Sequence, residues 1–494
     1  MRQRIQAIIE KFRVCKPLLH ARYFLWFCLL LLLRPALAQD THRSDDTKVL
    51  FLLLCDGMTW DDIASGQYPH LREFAERGSI ALMNCTVTGK RDNVSALLTL
   101  ATGQRLPAEP ADAFAANHNE HILTERGDAL TLFARRTGSH TFNGRRVLVD
   151  NQAIVHLNIA SLKRRGIVEQ SLGHLLYYGR AGGGMLLGNI DTDIPQRTAA
   201  LLMMNTYGET VGRFDIFRPD PTALSGKRDD PLRLAQFAYE NFASFTVIML
   251  REPATLDLFL YLLQENLKHI ESVHPNILIV SPRPPETQNR LTPVLAAGPD
   301  FPPGLFTSAT TRTPGLIANT DIAPTILDVF NLAAPPVMIG KPATVLKSTH
   351  TAERLAALSR LDYIAQLNDQ VLHRVMPIFA IVFALYFLLL FLRSQSPRWL
   401  VLGLVPILFL PAALLLAPLL VPPTFWEYAL RIVAWQFALT VLALILARLT
   451  HRKLPVLIAA LNIILILSDI LLGQTLLKDS LLSGYALSGI RYYG

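Results

Sequence analysis

Residues 49 to 54 are six consecutive apolar side chains, and they run directly into Cys55, Asp56 and Gly57. An apolar run this short, ended by Asp-Gly, reads as a strand buried on both faces at the centre of a parallel sheet. Asp56 then stands at the carboxyl end of that strand, where open α/β sheets bind their ligands. A carboxylate there is costly to bury unless it is paired, hydrogen-bonded or on a metal. Downstream, Pro69 suits the first turn of a helix and Gly78 its end, with Leu71, Phe74 and Ala75 on one face. Residues 79–83 read as the next strand, 89–93 as a turn-rich loop, and 94–101 as a helix ending at Thr102-Gly103. Segments 185–189, 245–250, 276–280 and 291–298 read as further strands, 256–270 and 321–330 as helices, the last capped by Asp321. This alternation predicts a wound α/β sheet. Residues 104–165 show no clear period.

The pattern changes near residue 350. Leu355, Leu358, Leu361, Ile364, Leu367 and Val371 recur at helical spacing, which predicts an amphipathic helix over 352–374 leading to a membrane. Four long apolar segments follow, at about 375–392, 399–420, 427–447 and 454–473. At roughly 1.5 Å per residue each is long enough to cross a bilayer. Arg393 and Arg398 fall between the first and second segments, and Arg448, Arg452 and Lys453 between the third and fourth. Residues 421–426 carry no basic group. If the preceding domain lies outside the cytoplasm, every basic loop lies inside. The N-terminus agrees independently: Arg2, Arg4, Lys11, Arg13, Lys16 and Arg22 precede an apolar stretch at 23–33 and an Ala-x-Ala site, the pattern of a secretory signal peptide or, uncleaved, a signal anchor.

The expected organisation is therefore a leader at 1–38, an extracytoplasmic α/β domain at 39–345, an amphipathic linker helix at 346–374, four transmembrane helices at 375–477 and an outer tail at 478–494. That tail stops abruptly, as in a fragment or a shortened chain. Composition supports a membrane protein: 51% of the 494 residues are hydrophobic and only 17% charged, with a mean hydropathy of +0.30. The net charge of +8 could suggest nucleic acid. Much of it sits in the N-terminal tail and the short loops, without a basic stripe interleaved with aromatics, so nucleic acid is excluded as a partner and the lipid bilayer is expected. Cys15 and Cys28 lie in the leader, leaving Cys55 and Cys85, with no Cys-x-x-Cys for zinc. The last two can pair in a disulfide outside the cytosol, although two buried thiols are the preferred reading.

Several segments together carry a resemblance. Asp56-Gly57 at a strand end, Pro69-x-Leu71 and Gly78, Thr99 to Gly103, and Asn319-Thr-Asp-Ile-Ala-Pro-Thr-Ile-Leu327 followed by Pro335, Met338, Gly340 and Pro342 stand in order along 48–345. This set resembles the alkaline phosphatase superfamily, especially its phosphodiesterase branch. Leu186 to Asp191, and Leu291-Thr-Pro-Val with Thr311-Arg312, resemble a membrane-attached bacterial subgroup of unassigned function. The resemblance implies an α/β/α sandwich, here followed by an α-helical transmembrane bundle in a bacterial cytoplasmic membrane. In active members two metal ions, usually zinc, manganese or calcium, activate a Ser or Thr nucleophile and clamp phosphoryl oxygens. By the resemblance, Asp56 matches the first metal-binding aspartate, and the nucleophile position falls near Asn93, which cannot form a phosphoenzyme. Ser95 could replace it only from a displaced helix start. The Ser-Asp-His-Gly of active members reads Ser281-Pro-Arg-Pro284, and the last histidine position, before Gly315, is Pro314. A two-metal site needs several converging carboxylates and imidazoles, so the expectation is a pseudoenzyme without cofactor, with zinc, manganese or calcium only if it is active.

Other candidates have simple readings. Asp56 can cap the turn after its strand. His118 and His121 can be solvated, and Asp191 and Asp193 turn-formers. Asn84 and Asn93 sit in glycosylation sequons that the bacterial-type leader makes irrelevant. The amides opening the helix at Val94, with Lys90 and Arg91 beside them, could hold an anion. In the apolar part Glu427 and Arg431 are spaced to pair, and Asn462 and Asp469 share a helix face near a span end. The expected function is a membrane-anchored binding or assembly module of the cell envelope, for an envelope polymer or a membrane-protein partner. The alternatives are a metal-dependent phosphoester hydrolase or transferase with an atypical site, and a channel or transporter component with an outer lid.

Overall fold

In a computed structural model, the described residues are 48–122, 127–138, 152–179, 184–188, 197–223, 225–270, 274–286, 288–392, 403–419, 424–451, 453–482 and 487. The expected leader, Asp191, Asp193, Arg393, Arg398 and Arg452 lie outside them. The described residues belong to one compact unit, Lys48–Gly494.

The run at 49–54 forms β1 (Leu50–Cys55), buried along its whole length. The remaining strands are β2 (Ser79–Asn84), β3 (Ala115–Asn117), β4 (Gln152–His156), β5 (Gly184–Gly188), β6 (Glu209–Arg213), β7 (Phe217–Pro219), β8 (Lys227–Asp229), β9 (Phe245–Leu250), β10 (Asn276–Val280), β11 (Thr292–Ala297), β12 (Gly304–Ser308), β13 (Leu316–Ala318) and β14 (Ala343–Lys347). The main sheet runs β14-β12-β2-β11-β10-β1-β9-β5-β6-β4-β3, with β13 on β2, while β7 and β8 form a separate hairpin. β1 pairs in parallel with β10 and β9, Leu52 lying opposite Leu278 and Val247. The expected central parallel strand is thus observed.

Side chains alternate across a strand, and here that alternation separates two cores. Leu50, Leu52 and Leu54 join one cluster with Val94, Leu97 and Ile326. Phe51, Leu53 and Cys55 join the other with Leu71, Phe74 and Leu260. On the first face lie α2 (Asn93–Thr102) and α4 (Ile322–Val329), and on the second α1 (Pro69–Arg77) and α3 (Pro253–Leu267). The result is a mixed sheet between two helical layers, as expected.

The predicted amphipathic helix is α5 (Thr351–Arg374). Its Leu355, Leu358 and Ala365 belong to the second core, so it lies on the sheet domain as well as leading away from it. Arg354 fixes it there: the guanidinium is 2% exposed and donates to the carbonyls of Gly78 (2.6 Å), Glu76 (2.8 Å) and Gly304 (3.3 Å). The edge strand β14 straddles the expected boundary at 345. α5 continues into α6 (Met376–Leu392), the two making 42 residues long and apolar enough at one end to cross a membrane. α9 (Phe425–Thr450) and α10 (Leu454–Leu471) meet the same description.

Of the expected span at 399–420, residues 403–419 are described. Among them are two short helices, α7 (Leu404–Leu408) and α8 (Leu410–Leu416), separated at Phe409. Pro411 has no N–H to give the preceding turn, so the backbone breaks there. Gln436 of α9 donates to the Pro406 carbonyl at 3.2 Å, and the Asn462 amide of α10 lies 3.5 Å from the Leu408 carbonyl.

Candidate strand-edge site

Two turns and the start of α2 meet at the carboxyl edge of the sheet. After β1 the chain reverses through Gly57 at φ 72°, a left-handed conformation that glycine adopts without strain. The Gly57 N–H donates to the Arg283 carbonyl (3.0 Å) and the Met58 N–H to the Ser281 hydroxyl (3.2 Å), which ties this turn to the one following β10. From there the Arg283 side chain crosses to α2. Its Nε donates to Asn93 Oδ1 at 2.8 Å and lies 3.5 Å from Asp56 Oδ2, while Nη1 donates to Glu286 at 3.1 Å. Burial raises the Asp56 carboxyl above its usual range, opposed by the Arg283 charge and by hydrogen bonding from Asn93 and Arg283. Asp56 Oδ1 has no hydrogen-bond partner among the described residues.

Of the residues singled out from the sequence, Asp56 and Asn93 therefore come together. Ser95 does not join them: it is 3% exposed, and its amide is taken by the carboxylate of Asp92, the residue capping α2, at 2.9 Å. The same contact places the Asp92 carboxylate at the helix mouth where the anion site is expected. Lys90 is exposed, and Arg91 donates to Asn289 at 2.5 Å. A cleft of ≈ 270 Å³ lies beside Arg283, lined by Cys85, Arg91, Asp92, Glu286 and Asn289 among others. Cys85 and Cys55 are free thiols, so the disulfide alternative is set aside. Burial pushes Cys85 up to about 12, and its sulfur lies 3.0 Å from the Thr292 hydroxyl.

The residue missed in the sequence is Arg283. Ser281-Pro-Arg-Pro284 reads there as a loss of ligands, yet it also supplies a cation. The available signal was positional: Arg283 follows a buried strand of the same kind as β1 and so falls at the same sheet edge. A two-metal centre, which the resemblance implies, does not fit this donor set. One carboxylate, one carboxamide and a guanidinium converge, and among the described residues no three His, Cys, Asp or Glu side chains are grouped to hold a metal. His121 lies elsewhere, its Nδ1 2.9 Å from the Gly127 carbonyl on the loop after β3.

The Asn319–Leu327 segment and Gly340 have a structural part here. Asp321 is fully buried, and burial raises its carboxyl. It accepts from the Thr310 hydroxyl (2.5 Å), Ala318 N–H (2.9 Å) and Lys341 N–H (2.9 Å). Gly340 is required alongside, since a Cβ there would lie 1.9 Å from the Thr320 carbonyl oxygen. In the apolar part, Glu427 and Arg431 pair as spaced. Asp469 is 2% exposed and accepts from the amides of Leu476 (2.9 Å) and Leu477 (3.0 Å), capping α11 (Thr475–Asp479).

No family model and no curated protein matches the chain. Among solved structures it is similar to an alkaline phosphatase superfamily protein from Vibrio parahaemolyticus, at 13% identity over 60% of this chain and 69% of that one, with a TM-score of 0.30. It is also similar to murine ectonucleotide pyrophosphatase/phosphodiesterase 5, at 11% identity, 58% and 96% coverage and a TM-score of 0.32. A phosphonate monoester hydrolase from Silicibacter pomeroyi gives 14% identity, 60% and 75% coverage and a TM-score of 0.27. Likeness at this level assigns neither family nor activity.

Proposed function

We propose that the chain is a membrane-anchored module of phosphatase-like build whose strand-edge site binds rather than catalyses. The observation that supports this is the Arg283 guanidinium, 3.5 Å from Asp56 and hydrogen-bonded to Asn93. A fixed cation neutralises the carboxylate without offering a Lewis-acid site or a means of activating a nucleophile. Asn93 has no hydroxyl to attack with, and Ser95 is buried. What remains is a cleft with Arg91 and Arg283 on one side of its chemistry and Asp92 and Glu286 on the other. We assign it to recognition of a phosphorylated or polyanionic envelope component. The basic residues flanking the apolar helices favour residues 39–374 outside the cytoplasm.

The test is hydrolysis of aryl phosphate mono- and diesters by the full chain in detergent, with zinc, manganese or calcium supplied. The expected rate equals that of an Asp56→Ala variant prepared in parallel. Turnover that disappears in Asp56→Ala would overturn the reading.

A further inference from the structure

The segment joining β10 to β11 reaches three other elements, and two of its contacts fall on α5. At its start, Arg283 is engaged with Asp56 and Asn93. Near its end, the Asn289 side chain bridges the cleft and α5: Oδ1 accepts from Arg91 at 2.5 Å and Nδ2 donates to Asp369 at 2.7 Å. The next residue, Arg290, is 9% exposed and donates to Asp362, 3% exposed, at 2.6 Å, with Asp61 as a second partner at 2.8 Å. Asp369 lies seven residues, about 10 Å of helix, before Met376, where α6 begins.

One physical property makes Asn289 and Arg290 transmitters. Separating Arg290 from Asp362 would strand a buried charge, which costs far more than moving the two together. A shift at either end therefore propagates. We propose that Asn289 and Arg290 form a strap coupling the strand-edge cleft to α5, so that a change in the cleft alters the packing of the helix that continues into the apolar bundle, and the reverse. The inference holds whether the cleft binds or catalyses.

Cys85, at the cleft, reports on it. In full-length protein carrying Cys15→Ser and Cys28→Ser, the remaining thiols are Cys85 and the fully buried Cys55. Asp369→Ala should accelerate maleimide alkylation of Cys85 about fivefold, the population change expected for one lost hydrogen bond. Arg360→Ala, which removes a contact between α5 and Asp479 without touching the strap, should leave the rate unchanged. By reciprocity, Arg91→Met, which removes the cleft's contact with Asn289, should speed hydrogen exchange of the α5 amides beyond Asp362. If Cys55 also reacts in Asp369→Ala, the variant has loosened the whole domain. Asp369→Asn, which keeps an acceptor for Asn289, should then restore the slow rate, and failure to do so overturns the proposal. Equal Cys85 rates in Asp369→Ala and Arg360→Ala overturn it as well.

Discussion

At the residue scale, the strand edge is governed by one pairing. Asp56 and Arg283 have side chains 15% and 23% exposed, so neither is fully desolvated, yet each limits the other's access to water. Removing the cation alone leaves a largely buried carboxylate with fewer partners, at a cost of about 1–3 kcal/mol. Arg283→Met should accordingly destabilise the domain in urea or thermal unfolding and raise the Asp56 carboxyl further. The double variant Asp56→Asn, Arg283→Met should lose less than the sum of the two single changes. A second buried acid sets a pH dependence. Asp229 is 2% exposed and accepts from the Arg251 N–H at 3.1 Å. Burial still pushes it up to about 7. The folded chain keeps a proton that the unfolded chain releases near pH 4, so stability falls as pH rises from about 4 to 7 and is level above that. The fall can reach roughly 4 kcal/mol at most. Asp229→Asn should flatten it in unfolding curves measured across this range.

At the element scale, α5 is the piece on which the sheet domain and the apolar helices both depend. Arg354 seals its first turn to the backbone of two strands' margins, and burial holds its guanidinium below the usual arginine range. Arg354→Met keeps the volume but leaves the Gly78 and Glu76 carbonyls only their longer bonds, from the Gly304 N–H (3.3 Å) and the Thr351 hydroxyl (3.4 Å), so a loss of about 1–3 kcal/mol is expected, seen as a lower Tm in detergent. Elements whose pattern is local were legible in the sequence. The apolar run of β1, the Pro69 and Gly78 bounds of α1, and the period from Leu355 to Val371 each announce themselves within a few residues. The interruption at Phe409 was not legible because an average over apolar side chains does not register the missing N–H of Pro411. Asp469 was placed near a span end, but its role as a cap depended on a return of the chain that its own helix does not encode.

At the scale of the whole molecule, the site was half legible. Asp56 and Asn93 could be brought together from their positions at a strand end and a helix start. Arg283 lies 190 residues from Asn93 along the chain, and Asp369 lies 80 beyond Asn289. Such contacts are decided by which strands become neighbours, and periodicity does not carry that. The topology proposed for the chain is open to a direct check. Protease added outside intact spheroplasts should degrade the domain and spare the apolar segment beyond residue 375, while a domain protected until lysis would reverse the orientation. The central claim, that the strand edge is held by an internal guanidinium in place of a metal pair, is tested most directly by elemental analysis. The full chain, purified in detergent, equilibrated with zinc and manganese and then dialysed, should retain well under one ion per chain. Two tightly held ions per chain, the complement of a two-metal centre, would contradict it.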